Sequence, residues 1–197
     1  MPDFSLFSRH GIIVSRETEE KFNIYNGLIL KWQKTINLVA PSTLDDLVSR
    51  HFLDSAQIFP LVAGRSVIDL GSGAGFPGMV LAMLGVNVQL VESDQRKAVF
   101  LREVSRETKT PVIVHSCRIE ALKDIKADVV TARALAPLKE LIAHMQHLKI
   151  PRGVFLKGEN IDAEVLDAKK AFDFDCKTSD SLTDKRGKIV IINSRFT

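Results

Sequence analysis

The sequence predicts an α/β fold: an open, mostly parallel, doubly wound sheet preceded by helices. From Ser66 onward, short β-like runs alternate with helical segments, the pattern of a parallel sheet with crossover helices. Before Ser66 the apolar residues recur with a helical period instead. The 197 residues are 45% apolar and 26% charged, with 11 Gly and 7 Pro, which is an ordinary globular composition. These counts exclude a disordered chain, a collagen-like repeat and a disulfide scaffold. A chain of this length favours one structural domain that buries roughly 70% of the surface its unfolded form exposes.

The elements follow in order. Phe22, Tyr25, Ile29, Trp32 and Ile36 are spaced by 3 or 4 and share one stripe of a helix starting near Ser15. The stripe lasts barely two heptads, so it reads as core rather than as a coiled-coil seam. Residues 37–42 form a loop containing Pro41, after which Thr43 caps a second helix while Asp46 bonds back. That helix is expected to reach Phe59, with Pro60 and Gly64 closing it. Strands are expected over 66–70, 87–92, 111–116, 128–132, 153–157 and 188–193, with a weaker one over 172–178. The helices between them span 77–84, 94–108, 137–148 and 162–171. Residues 1–64 thus read as a helical segment packed on the sheet and 65–197 as the α/β core, together one structural domain. Right-handed crossovers place the ligands of such a sheet beyond the carboxyl ends of its strands, where the strand order reverses.

No apolar run approaches the ~20 residues of a membrane span. The start, MPDFSLFSRHG, lacks the features of a secretory leader. The expectation is therefore a cytoplasmic protein with no membrane partner. Cys117 and Cys176 form no C-x-x-C pair and suggest no metal site. A formal charge of +3 and a pI near 8.9 permit a polyanionic partner only if the basic residues cluster.

The strongest local signal is Val67-Ile68-Asp69-Leu70-Gly71-Ser72-Gly73-Ala74-Gly75-Phe76-Pro77-Gly78, an apolar strand running into a glycine-rich turn and then a helix. Gly71, Gly73 and Gly75 let the backbone bend sharply and approach a ligand, and the following helix offers a positive dipole end. Gly73, Gly75 and Gly78 also satisfy G-x-G-x-x-G, so a dinucleotide competes with S-adenosyl-L-methionine. Charge separates the two. Asp69 repels a pyrophosphate but attracts a sulfonium and an α-ammonium, while the cofactor's carboxylate takes the helix N-terminus. Glu92, 21 residues after Gly71, is placed to accept ribose hydroxyl protons from either cofactor.

Two further strand ends matter. Ile119 can lie against an adenine, and Glu120 can receive its amino group or simply cap the next segment. After the fourth strand, Thr131-Ala132-Arg133-Ala134 contains no Asn/Asp-Pro-Pro-Tyr to hold an exocyclic amine and no Cys to add to a pyrimidine. Arg133 suits an acceptor that already owns a lone pair, such as a guanine N7, for which positioning suffices and no general base is needed.

Arg50-His51-Phe52-Leu53-Asp54-Ser55, the glycine loop with Gly75-Phe76-Pro77-Gly78, Arg118-Ile119-Glu120, Arg133-Ala134 and Leu156-Lys157-Gly158 resemble the bacterial small-subunit ribosomal RNA guanine-N7 methyltransferases of the RsmG, or GidB, type. The resemblance spans about residues 20–195 in the same order, and is weaker in the carboxyl-terminal third. It implies a class I, Rossmann-like methyltransferase fold, S-adenosyl-L-methionine as donor, and N7 of a guanine in 16S rRNA as acceptor. It also implies cofactor contacts at Gly71, Phe76, Ile119, Glu120 and Arg133. Glu92 stands where members of the family often carry Asp.

For the substrate, Arg50, His51, Arg133 and Lys157 lie at strand ends or in these motifs, with a partly buried structural histidine as the competing reading at 51, and Lys185 and Arg186 sit in a loop over 179–187 suited to phosphate contacts. The partner expected is 16S rRNA or the small subunit, engaged by a monomer. Two other readings compete: an NAD-dependent oxidoreductase using Gly73, Gly75 and Gly78, and a non-catalytic RNA-binding module on the same fold.

Overall fold

The structure, a computed structural model, describes residues 3–195. Among the described residues, seven strands form one sheet: β1 (Ser66–Leu70), β2 (Asn87–Val91), β3 (Ile113–His115), β4 (Val129–Arg133), β5 (Arg152–Lys157), β6 (Phe174–Asp180) and β7 (Lys188–Ser194). Their order is β3-β2-β1-β4-β5-β7-β6, with β7 antiparallel to both neighbours and the other pairs parallel. Strand order reverses between β1 and β4, which puts the switch point beside the glycine loop.

The helices are α1 (Ser5–Arg9), α2 (Arg16–Trp32), α3 (Asp54–Ala56), α4 (Phe59–Val62), α5 (Gly78–Met83), α6 (Gln95–Glu107), α7 (Leu138–Leu148) and α8 (Ile161–Ala168). Ser15 caps α2 by accepting the Thr18 amide at 3.1 Å, and Asp94 caps α6 by accepting the amides of Arg96 and Lys97. Alternation along each strand sends successive side chains to opposite faces. Val67, Val129 and Val154 join a core with Phe22, Tyr25, Ile29, Phe52 and α5. Ile68, Val130 and Phe155 join a second core under α7 and α8. The N-terminal helices therefore share one continuous core with the sheet.

The expected helix from Thr43 to Phe59 is not one helix. Pro41–Asp46 is a 3-10 turn, Val48–Leu53 is a π-helix, and α3 continues it. Thr43 does not cap: its hydroxyl lies within bonding distance of the Ala40 carbonyl, 2.8 Å, and of His51 Nε2, 2.8 Å. A π-helix adds a residue to the turn and re-aims the side chains around it, a device frequent at functional sites. Here it turns Arg50, His51 and Asp54 toward the tip of β4. Pro60 sits in the first turn of α4 and starts that helix rather than closing the previous one.

Candidate active site

Beneath the glycine loop, Asp69 and Thr131 are register partners on β1 and β4, so their side chains lie side by side on one face of the sheet. The Thr131 hydroxyl donates to Asp69 Oδ1 at 2.8 Å. Asp69 Oδ2, fully buried, has no hydrogen-bond partner among the described residues. The Gly78 amide faces it from the start of α5 and favours the anion. Burial nevertheless dominates, opposed by Thr131 and Ser72, and raises the Asp69 carboxyl to about 6.

This corrects two expectations. Asp69 does not stand at the strand tip where a ligand could touch it; pleat alternation turns it inward, under α5. The helix N-terminus is not open to a ligand carboxylate either, because Gly78 faces Asp69 and the Met79 amide bonds to the Gly75 carbonyl at 2.8 Å. Gly78 is required for this packing, since a Cβ there would lie 2.8 Å from Asp69 Cβ and 2.4 Å from Leu90.

Gly71, Gly73 and Gly75 all hold positive φ, at 61°, 56° and 98°. Glu92 fastens the loop by accepting the Gly73 amide on Oε2 at 2.8 Å and the Asp94 amide on Oε1 at 2.7 Å. Each oxygen keeps acceptor capacity, which is what two ribose hydroxyls require. Ile119 is half-buried in a 3-10 turn after β3, and Glu120 beside it is exposed. Leu135 lies directly over Gly71, where a Cβ would meet its Cδ1 at 2.5 Å.

Phe76 is nearly buried and stacks with His51 and Tyr25, centroids 5.0 and 5.4 Å apart. The Arg133 guanidinium lies 5.0 Å from the same ring. The Phe76 side chain is thus committed to the protein interior rather than offered to a cofactor. Its neighbour Tyr25 donates its hydroxyl to the Ala74 carbonyl, tying α2 to the loop.

Arg133 ends β4 and is held on three sides. Its Nη1 donates to Asp54 Oδ2 at 3.0 Å and to the Arg50 carbonyl at 3.2 Å, and its Nη2 donates to His51 Nδ1 at 2.8 Å. Because Nδ1 accepts, the His51 proton sits on Nε2 and is donated to Thr43, whose own proton goes to Ala40. Burial, then Arg133 and Arg50, lower the His51 imidazole to about 3, so it is neutral at physiological pH. With 8% exposure and both nitrogens engaged, His51 is an interior link and not an RNA contact.

Lys157 is also corrected. It is largely buried, 2.7 Å from Glu164 and donating to the Ala136 carbonyl at 2.8 Å, so its charge pins α8 and the β4–α7 loop. Arg50 is 44% exposed and reaches Asp184 at 3.3 Å, while Lys185 and Arg186 are exposed on the turn between β6 and β7. A cavity of about 580 Å³ opens beside Arg133 and is lined by Arg50, Asp54, Lys157, Glu159 and Arg186 among others.

Asp54, Thr131 and Leu135 were not assigned from sequence. Thr131 shares parity with Arg133 along β4, and Asp54 stands three and four residues from His51 and Arg50; both spacings were readable. Leu135 carried no such signal.

The strand order with its antiparallel β7, together with a glycine turn at the switch point, defines the class I methyltransferase fold. A magnesium protoporphyrin IX methyltransferase from Synechocystis PCC 6803, solved with bound SAM, superposes with a TM-score of 0.62 at 14% identity over 93% of this chain and 98% of that one. Residues 18–192 match the family described as rRNA small subunit methyltransferase G, and the chain belongs to that family. It is 51% identical to the Ribosomal RNA small subunit methyltransferase G of Paramagnetospirillum magneticum over 90% of this chain and 89% of the relative. With the same-named protein of Rhodospirillum rubrum it shares 47% identity over 91% and 92%.

Proposed function

We propose that this chain transfers a methyl group from S-adenosyl-L-methionine to N7 of a guanine in 16S rRNA, acting as a monomer in the cytoplasm. The observation that carries this reading is Arg133, held at the switch point between the glycine loop and the 580 Å³ cavity in a chain of this family. No helix among the described residues is long and apolar enough to cross a membrane.

The donor set suits the cofactor. Glu92 takes the ribose, Ile119 lies against the adenine and Glu120 receives its amino group, while Gly71 and Gly73 give the close backbone approach. Asp69, without touching the ligand, places a buried negative charge under a cationic one. S-adenosyl-L-methionine supplies an electrophilic methyl group. The chain's own work is to orient the purine ring so that N7 approaches in line, and the N7 lone pair needs no base to expose it. Arg133, its charge partly offset by Asp54, holds the acceptor without adding a bare cation next to the sulfonium. Arg50, Lys185 and Arg186 take the RNA phosphates around the cavity.

Incubating the protein with methyl-labelled S-adenosyl-L-methionine and small ribosomal subunits tests this. Label in 16S rRNA that is lost in an Arg133→Ala variant supports it. Stabilisation of the protein by NAD but not by S-adenosyl-L-methionine would favour the oxidoreductase reading instead. Full transfer by the Arg133→Ala variant would remove the assigned site.

A further inference from the structure

We infer that Asp54 is a positioning residue that couples the β6–β7 turn to Arg133, so that RNA held on the turn sets the guanidinium at the site of methyl transfer. The inference rests on the proposed function.

Asp54 stands between two parts of the site with one oxygen turned to each. Oδ2 accepts from Arg133 Nη1 at 3.0 Å, and Oδ1 accepts from the Thr183 hydroxyl at 2.7 Å and from Gln57 Nε2 at 2.9 Å. Gln57 reinforces the second attachment, since its Oε1 accepts the Leu182 amide at 2.8 Å and its Nε2 donates to Ser181 at 3.1 Å. The side chains of Arg133 and Asp54 are only 19% and 16% exposed. Largely desolvated, both attachments are stiffer than they would be at the surface.

Asp54 is also the only carboxylate paired with Arg133 among the described residues. The other acceptors on the guanidinium, the Arg50 carbonyl and the neutral His51, carry no charge. The turn has a release point of its own: Arg50 bonds Asp184 at 3.3 Å across exposed surface. A phosphate drawn to Arg50 and Arg186 competes with Asp184 for that arginine. The displaced turn remains fastened through Thr183 to Asp54, and through Asp54 to Arg133. Substrate binding is thereby conveyed to the catalytic end of β4 by side chains that need not touch the base.

Two readouts on the full chain test this. In methyl transfer to small subunits, Asp54→Asn is expected to lower kcat about tenfold while KM for the subunit stays within about threefold. In a Thr183→Val background the same substitution is expected to add no more than about a twofold loss, because both changes break one link. Amide hydrogen exchange gives the second readout. Arg133→Ala, which alters no atom of the turn, is expected to speed exchange at Leu182 and Gly187 about threefold, and Asp54→Asn about tenfold. Unchanged exchange over 181–187 in the Arg133→Ala variant overturns the coupling. So do multiplicative losses in the double variant, or an effect confined to KM. Exchange shifts as expected in the two variants, together with a wild type that transfers no methyl to rRNA, would reject the proposed function and leave the Asp54 link standing.

Discussion

Asp69 and Thr131 meet 2.8 Å apart beneath the glycine loop, and the second oxygen of that carboxylate is buried with no partner among the described residues. The fold thus keeps a negative charge under the loop at the cost of its hydration. That charge favours a cationic cofactor over a pyrophosphate through the field of a buried group rather than by contact.

That group has a pH signature. Its folded value, about 6, lies above its unfolded one, so the stability it contributes is fully present below about pH 4 and is lost as pH rises through 6. Asp69→Asn removes this term, worth about 3 kcal/mol between those limits. Melting curves from pH 4 to 8 are expected to show the variant gaining stability relative to wild type as pH rises. Affinity for S-adenosyl-L-methionine should rise through pH 6 in wild type and stay flat in the variant, measured by calorimetry.

His51 has the opposite sign. Its folded value, about 3, lies below its unfolded one, so the stability it contributes is present above about pH 6.5 and drains away as pH falls toward 3. His51→Gln should flatten the acid limb of the melting curve without changing the salt dependence of RNA binding. A changed salt dependence would return His51 to the RNA surface.

Gly71 combines a φ of 61° with Leu135 packed against its open side. Gly71→Ala is expected to cost about 2 kcal/mol in backbone conformation before the clash with Leu135 is counted. Binding of S-adenosyl-L-methionine should weaken at least as much as stability does. Isothermal titration on the folded variant checks it.

The basic residues divide by role. Lys157→Met should destabilise the fold by about 2 kcal/mol by removing the cation beside Glu164, which keeps only the Leu138 amide, with rRNA affinity little changed. Replacing Lys185 and Arg186 together with Ala should leave melting unchanged and lower the log–log salt slope of rRNA binding by about 1–2. Filter binding over a salt series separates the two.

What could be read from the sequence follows from where each signal originates. β1 was legible to the residue, and the other strands to within a few residues, because their runs and the glycine turn are local. The segment over 41–56 was not, because 3-10 and π turns there are selected by partners far along the chain, such as Arg133 for His51 and Thr183 for Asp54. The same distance in sequence hid the role of His51, whereas that of Lys157 depends on α8 folding Glu164 back over the end of β5. A basic residue in a motif reads as free until its partner, here Arg133 or Glu164, is placed beside it. The glycine turn marks Asp69 as important, but the direction of its side chain follows from strand parity against β4 and not from its offset from Gly71.

The most direct measurement maps the methylated nucleotide in 16S rRNA after reaction with this protein, using borohydride and aniline cleavage, which reports N7-methylguanine. Cleavage at one guanine, dependent on S-adenosyl-L-methionine and absent with Arg133→Ala, is the result expected. Methyl incorporation at any other base or atom, or cleavage undiminished in that variant, would contradict it.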